Sequence, residues 1–231
     1  MSAVDFQFDE ALHAYVVDNR LQPHVTGILQ QYGIIDYTGV PQPTLERKTI
    51  IGQLVHKATH YRDEDGLTIE LALAQIIEAH AEQMRALGIY AEELCGYASG
   101  WMTFLRESDF QCFEGYFERR YVATVNGMRY GMTIDRAGML RRRPTILDLK
   151  CTAAREPSWP IQLAGYALGL PKPPNVVRWE RAAVWLKPEG KYQLCPGGRN
   201  HSDIVIERRD EEVFLAALRL THWKIENLGH V

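Results

Sequence analysis

The chain has 231 residues, of which 46% are hydrophobic, 10% aromatic and 24% charged, which excludes a disordered, collagen-like or membrane-protein composition. The formal net charge of −3 excludes an overall basic field of the kind that attracts nucleic acid. The charge is uneven, however: residues 1–110 contain 7 Lys and Arg against 16 Asp and Glu, whereas residues 111–231 contain 19 against 13. Two interpretations remain: the basic second half contains a local binding site for a polyanion, or, more simply, the charges lie on an unevenly charged solvated surface.

The first half is predicted to contain a short hairpin followed by helices. The segment FQFDEALHAYVVDNRLQPHVTGIL alternates apolar and polar residues around the turn-like DNR, which predicts a hairpin. VTGILQQYGI is predicted to be a short helix that ends at Gly33. From about Thr44 the apolar spacing becomes helical, and three helices are expected over residues 44–108, with Gly66 and Gly88 at helix ends.

The second half changes to strand-like alternation. Two strands, FEGYFERRYVATV and GMRYGMTIDRAGML, flank Asn126-Gly127, a strong hairpin signal, and RRRPTILDLKC is a third strand. Pro157 opens a helix, SWPIQLAGYALGL, and RWERAAVWLKPEGKYQLC is another hairpin. HSDIVIERR is predicted to be one more strand, before a final amphipathic helix that Asp210 caps. Strands interrupted by a crossover helix indicate a mixed α/β fold in a single domain, with the sheet in residues 111–231.

The cysteines and the apolar runs indicate which metal sites and which cellular compartment to expect. The four cysteines are scattered, with no CxxC pair or Cys/His cluster, so neither a structural zinc nor an iron–sulfur cluster is expected. The start, MSAVDFQFDE, lacks the basic-then-apolar pattern of a signal peptide. No run approaches the ~18 apolar residues of a membrane span. We therefore expect a cytoplasmic protein with no membrane partner.

The stretch that indicates chemistry is Asp135 followed by ILDLK. On a strand, Asp148 and Lys150 are two residues apart and project to the same face. Burying both charges is costly unless they have partners. Asp135 lies on the preceding strand, so the two aspartates can together hold a hard divalent cation, with Lys150 beside the attacking water. A plain Asp–Lys ion pair at a sheet edge is the alternative, because three-residue matches are common.

Two helices contribute further candidates. Gln162 and Tyr166 are at i and i+4 on the crossover helix and share one face, which is expected near the end of the Asp148 strand. His56 lies on the helix IGQLVHKATH, where taken alone it is more simply a satisfied or exposed histidine. His56 and His60 share a helical face, but no glutamate stands between them as in HExxH, so a zinc peptidase is not indicated.

Taken in order, GQLVH, FERRY, YGMTIDRAG, ILDLKC and QLAGYA resemble the motifs of the PD-(D/E)XK nuclease superfamily, closest to its RecB-like and Cas4-like branch. The match spans about residues 50–170. The opening segment also resembles the "PSVT-x-IL" segment of phage-encoded members, with His24 in place of the usual Ser. The resemblance implies a restriction-endonuclease-like fold: a mixed central sheet flanked by helices, with a helical insertion, residues 44–108, before the sheet.

The resemblance also implies roles for individual residues. The implied metal ligands are His56, Asp135, Asp148 and the Leu149 backbone carbonyl, and the implied cofactor is Mg²⁺ or Mn²⁺. Lys150 is implied to be the catalytic lysine, and Gln162 and Tyr166 to contact substrate. Glu118 occupies the place of the family's strand glutamate, although Glu114 competes with it. Cas4-type relatives group three of their iron–sulfur cysteines near the C-terminus, where this chain has only Cys195, so no cluster is expected.

The implied function is metal-dependent hydrolysis of DNA, by an exonuclease of recombination, repair or phage DNA metabolism in a bacterial or phage-infected cell. DNA binding requires cations near the phosphates, for which Arg136 and Arg155 are candidates. Trp159 is a candidate for stacking on unpaired bases, although core packing is the simpler use. The helices before the sheet are expected to cap the active site, which favours threading of a strand end.

Several alternatives stay open. A catalytically inactive nuclease-fold subunit, used for DNA binding or assembly, is the main alternative function, against which the joint presence of Asp135, Asp148 and Lys150 argues. A non-nuclease α/β domain with an edge ion pair is a third possibility. A homo-oligomer and a recombination partner are compatible with the sequence, which demands neither.

Overall fold

The structure, a computed structural model, describes residues 5–10, 12, 14–174, 176–197 and 201–229, with the backbone alone for residues 196–197 and 201–206. The chain begins with a small antiparallel sheet of β1 (Gln7–Asp9), β2 (Ala14–Val17) and β3 (Arg20–Gln22). Asp18 and Asn19 form the two-residue turn between β2 and β3, both at positive φ, as a tight hairpin turn requires. The predicted hairpin is therefore confirmed, with one additional strand. Helix α1 (Val25–Gln31) follows, and Gly33 comes two residues after it at φ 65°.

Four helices, one more than predicted, occupy the next segment: α2 (Gln42–Asp63), α3 (Ile69–Ala79), α4 (Ala81–Ala86) and α5 (Ala91–Glu107). The predicted middle helix is divided at His80, which ends α3 and precedes α4. The helices form a layer on one face of the main sheet. Trp101 and Phe104 of α5 and Leu54 of α2 share a core with Leu147 and Val184 of the sheet. This arrangement covers a sheet face and gives no support to a threading arch.

The main sheet has five strands in the order β4 (Gln111–Val125), β5 (Met128–Leu140), β6 (Arg143–Lys150), β7 (Glu180–Leu186) and β8 (Tyr192–Gly197). Neighbours are antiparallel except β6 and β7, which are parallel and joined through α6 (Trp159–Gly169). The Asn126-Gly127 turn lies between β4 and β5 as predicted, and both of its residues have positive φ. The predicted mixed sheet flanked by helices is thus confirmed.

The last helix differs from the prediction. Residues 201–209 were expected to form a strand, but α7 runs from His201 to Leu228, so that Asp210 lies inside the helix and does not cap it. The apolar triplet at 204–206 favours a strand only locally, and strong helix formers follow it. Phe214, Leu218 and Thr221 bury one helical face, because packing decides where local propensity is weak. Among the described residues, no helix combines the length and apolar character needed to cross a bilayer.

The small N-terminal sheet packs against β5. The ring of Tyr15 lies directly on the backbone of Gly131, where a Cβ atom would be 2.2 Å from the ring carbons, so only glycine permits this contact. The Tyr15 hydroxyl lies 2.5 Å from Thr133 Oγ1. The two contacts fix β1–β3 beside the part of β5 that leads to Asp135.

Candidate metal centre and substrate groove

Three adjacent strands bring carboxylates together. In the β4–β5 register, Glu118 and Asp135 lie between the pairs Phe117–Arg136 and Arg119–Ile134. Asp135 and Asp148 lie one residue beyond the last pair that β5 forms with β6. Adjacent strands are ~4.8 Å apart, so neighbouring side chains from the three strands lie close together. Glu118 has a φ of 42°, which is uncommon for a residue other than glycine and persists where surrounding contacts hold it.

Helix α2 places His56 against these acids. Its Nδ1 atom is 3.4 Å from Glu118 Oε1 and 3.5 Å from Asp135 Oδ1. Its Nε2 atom is 3.0 Å from the backbone carbonyl oxygen of Leu149. His56, Glu118 and Asp135 each offer a ligand atom, and these atoms lie within 4.8 Å of one another. The structure thus brings Glu118 into the centre, while Glu114, the competing glutamate, is exposed.

Asp148 faces a different partner from the one expected of a metal ligand. Its Oδ2 atom forms an ion pair with Lys150 Nζ at 2.6 Å, and Asp148 does not belong to the three-residue group. Its charge nevertheless reaches that group, since it contributes to raising the pKa of both Asp135 and His56. Ligation by Asp148 stays a prediction.

The ionisation of the centre reflects an excess of acid. Burial is the main cause that raises the pKa of Asp135 to about 7; His56 opposes the rise, and the nearby carboxylates of Asp148 and Glu118 add to it. Burial disfavours a charged His56, but the carboxylates of Asp135 and Glu118 outweigh it and raise the pKa of His56 to about 9. Burial also opposes a charged Glu118, yet His56 and Arg136 hold its pKa below the ordinary value. A positive charge between these carboxylates is therefore favourable.

A polar chain leads from Asp148 into helix α6. Lys150 Nζ donates to Gln162 Oε1 at 2.7 Å, and Gln162 Nε2 donates to the Tyr166 hydroxyl at 2.9 Å. Gln162 Nε2 also lies 3.3 Å from Thr26 Oγ1 on α1. Burial disfavours the Lys150 ammonium, but Asp148 outweighs it and raises the pKa of Lys150, so the amine stays charged. The predicted shared face of Gln162 and Tyr166 is confirmed, and Gln162 holds Lys150; substrate contact by either residue stays a prediction.

Arg136 does not face the groove, so its predicted DNA contact is wrong. Its side chain is 0% exposed, and its guanidinium donates to Asp63 Oδ2 at 2.8 Å and to Glu118 Oε1 at 3.1 Å. The same group donates to Thr59 Oγ1 and to the Asp135 carbonyl. A buried cation requires such partners, and here they fasten α2 to the sheet beneath the centre. Sequence position gave no means of distinguishing this role from phosphate binding.

The other two nucleic-acid candidates lie away from the carboxylates. Trp159 is 3% exposed and packs edge-to-face on Trp185 at 5.8 Å between ring centroids, so the base-stacking prediction is wrong and core packing is its role. Arg155 is exposed but lines a small separate pocket beside Trp159 and Arg181. DNA binding by Arg155 stays a prediction.

The carboxylates lie in an open groove of about 760 Å³. The groove is also lined by residues that the sequence analysis did not single out: Lys57, Phe117, Arg120 and Thr133. Thr26, which supports Gln162, was also missed, although it lies in the N-terminal segment that resembles phage-encoded members. The FERRY motif contains Arg119 and Arg120, but the motif alone does not show which arginine faces the groove.

The donor set fits a hard divalent ion. Carboxylate and carbonyl oxygens with one imidazole are ligands that Mg²⁺ or Mn²⁺ accepts. The distances from His56 Nδ1 to Glu118 Oε1, 3.4 Å, and to Asp135 Oδ1, 3.5 Å, lie within the span of two ligands that are each ~2.1 Å from an octahedral ion. The raised pKa of Asp135 is a second indication, because a bound cation would favour its ionised form.

No protein-family model and no curated protein sequence matches this chain. Among solved structures it is similar to an alkaline exonuclease, LHK-Exo, from Laribacter hongkongensis, with 14% identity, a TM-score of 0.32, and coverage of 78% of this chain and 96% of the other. The same exonuclease in complex with dAMP gives 15% identity, a TM-score of 0.32, and coverage of 78% and 97%. SSO0001 gives 14% identity, a TM-score of 0.29, and coverage of 72% and 74%. At such TM-scores these likenesses carry no argument about function, for which the groove and its side chains are the basis.

Proposed function

We propose that the chain is a metal-dependent deoxyribonuclease of the PD-(D/E)XK superfamily that hydrolyses phosphodiester bonds of DNA. The observation that carries the proposal is the convergence of His56, Glu118 and Asp135 within 4.8 Å beside the Asp148–Lys150 pair. All five residues line one open groove. A balanced structural ion pair would not require three further ionisable groups at its side.

The side chains have separable tasks in this proposal. His56, Asp135, Asp148 and the Leu149 carbonyl would hold Mg²⁺ or Mn²⁺, with Glu118 as a further candidate. When bound, the ion supplies a Lewis acid for the phosphate and lowers the pKa of a water molecule. Lys150 presents a charged ammonium to the negative charge that develops on the phosphate oxygens. Gln162 accepts a hydrogen bond from Lys150 and so keeps the ammonium directed at the groove.

We extend the proposal to the mode of action, the pathway and the cellular compartment. The ordered motifs favour a RecB-like exonuclease that acts on linear DNA in recombination, repair or phage DNA metabolism, in the cytoplasm. Since the helices of residues 44–108 lie as a layer on the sheet, exonuclease action is supported by the motif resemblance alone. Partner proteins and a homo-oligomer are left open.

The test is release of nucleotides from end-labelled linear DNA in Mg²⁺ or Mn²⁺, with closed circular DNA in parallel. We expect release by the wild-type protein and a decrease of roughly 10²–10³-fold in Lys150→Ala and Asp148→Ala. Gln53→Ala is the matched control, because Gln53 is exposed and lines the same groove without a hydrogen bond to the centre. Equal release by all four proteins would remove the nuclease assignment. DNA binding without release by the wild type would favour the inactive subunit.

A further inference from the structure

The groove contains an arginine whose position matches the needs of a polyanionic substrate. Arg120 lies on β4 two residues after Glu118, and its register partner on β5 is Thr133, two residues before Asp135. All four residues line the groove. Because a strand advances ~3.3 Å per residue, the backbone of Arg120 is about 7 Å from that of Glu118. Successive phosphates of one DNA strand are ~3.4 Å apart along the helix axis, and they are further apart along the backbone, which winds around that axis. The distance between Glu118 and Arg120 is therefore comparable to the spacing of neighbouring phosphates.

The guanidinium of Arg120 already holds an anion. It forms two parallel contacts with Glu10, from Nη1 to Oε1 at 2.7 Å and from Nη2 to Oε2 at 3.1 Å. The guanidinium also lies over the ring of Phe8, with 3.9 Å between Cζ and the ring centroid. Phe8 in turn packs edge-to-face on Tyr15, which is anchored on β5. These contacts hold the Arg120 guanidinium, whose two Nη atoms form a fork, in a fixed orientation. Arginine binds both carboxylate and phosphate with this bidentate geometry.

The bound carboxylate is easily exchanged. The Glu10 side chain is 71% exposed, so water can take over its hydrogen bonds when it leaves Arg120. Among the residues that the structure describes, the buried Nε atom of Arg120 has no hydrogen-bond partner, so Glu10 does not use all the donors of the guanidinium. Arg120 is 38% exposed, in contrast to the fully buried Arg136, each of whose guanidinium nitrogens donates a hydrogen bond inside the protein.

We propose that Arg120 binds a backbone phosphate of the DNA next to the one that is cleaved, and that Glu10 occupies this phosphate position when DNA is absent. The proposal rests on the nuclease function proposed above and adds to it a specific phosphate site. The neighbouring Arg119 provides the contrast: it is exposed, donates to the Gly115 carbonyl at 3.1 Å, lies over the Tyr121 ring and does not line the groove.

The test measures the affinity for fluorescently labelled linear duplex DNA by anisotropy over a series of salt concentrations, in Mg²⁺. All variants carry Lys150→Ala, so that the DNA is not cut. Arg120→Gln should weaken binding and lower the slope of log Kd against log salt by about 0.9, the loss of one phosphate contact. Arg119→Gln removes the same charge one residue away and should leave the slope unchanged. Arg120→Lys, which keeps the charge but not the fork, should keep the slope and weaken binding.

Glu10→Gln gives an effect of opposite sign. It should tighten DNA binding by about two- to five-fold, because it removes a competing anion, and should have no such effect once Arg120→Gln is present. Equal salt slopes for the Arg120 and Arg119 variants, with DNA bound by both, would overturn the phosphate site and leave the nuclease assignment standing. Failure of the parent protein to bind DNA at all would overturn both. Arg120→Lys and Glu10→Gln nearly preserve the size of the side chains. These two variants therefore test whether Arg120 binds a DNA phosphate even if Arg120→Gln does not fold.

Discussion

Two polar clusters meet at consecutive residues of β5 and differ in how their charges are balanced. Asp135 faces the groove together with Glu118 and Asp148, where carboxylates outnumber nearby permanent cations and burial raises the pKa of Asp135 to about 7. Arg136 faces inward, where Asp63 and Thr59 receive its hydrogen bonds. The inward cluster is complete without any additional group. The groove cluster is not, and this imbalance distinguishes a site that binds a cation from one that stabilises the fold.

The contact between the clusters runs through Glu118. Its Oε1 atom accepts from Arg136 Nη1 at 3.1 Å and lies 3.4 Å from His56 Nδ1. Asp63, the other carboxylate on Arg136, also receives the indole N–H of Trp101 at 3.1 Å. The inward cluster therefore sets both the position of helix α2, which bears His56, and the orientation of one carboxylate in the groove.

Breaking the inward cluster should have the largest effect on stability. We expect Arg136→Met to lower the free energy of unfolding by about 3–5 kcal/mol, because Asp63 loses its buried cation and keeps only the partly exposed cation of Arg62. Thermal and urea denaturation measure the loss. Arg106→Met is the control, since Arg106 is an exposed arginine on α5. A loss below about 1 kcal/mol would show that Arg136 is not a structural requirement.

A substitution in the groove cluster should have the opposite sign on stability. In EDTA at pH 8, Asp135→Asn should raise Tm by about 2–4 °C, which corresponds to about 1 kcal/mol. It removes a buried charge from a group of acids and keeps an oxygen that can accept from the Leu149 N–H. Nucleotide release should fall to background in the same variant. A fall in Tm comparable to that of Arg136→Met would contradict the distinction between the two clusters.

A third effect on stability concerns pH in the metal-free protein. The pKa of His56 is raised from about 6.5 to about 9, so its stabilising contribution is complete below pH 6.5 and is lost as the pH rises to 9. We expect the free energy of unfolding in EDTA to fall by roughly 1–3 kcal/mol across this range. Urea denaturation at several pH values measures the fall, which His56→Gln should reduce to the part that Asp135 contributes and His60→Gln should preserve. An unchanged slope in His56→Gln would show that another group titrates.

Spacing along the chain predicted the parts of the site that depend on one or two elements. The alternation in ILDLK indicated that Asp148 and Lys150 share a face, and they form an ion pair at 2.6 Å. The i, i+4 spacing of Gln162 and Tyr166 likewise predicted neighbours, which are hydrogen-bonded. Local turn chemistry predicted the Asn126-Gly127 hairpin for the same reason: each of these signals depends on nearby residues only.

Local sequence patterns did not predict the contacts that depend on how three or more helices and strands pack together. Arg136 follows Asp135 in the chain, but its inward direction depends on where α2 places Asp63 and Thr59. Glu118 was one of two candidate glutamates, and the β4–β5 register decides between them. The strand expected at residues 201–209 failed because the burial of one face of α7 against the sheet outweighed a short run of β-branched residues.

The most direct test of the proposed centre is a crystal structure with Mn²⁺, with the ion located by its anomalous scattering. We expect one strong peak within ~2.0–2.6 Å of His56, of Asp135 and of the Leu149 carbonyl, with Asp148 or Glu118 completing the oxygen ligands. No such peak at saturating Mn²⁺, or a peak whose ligands include neither His56 nor Asp135, would contradict it.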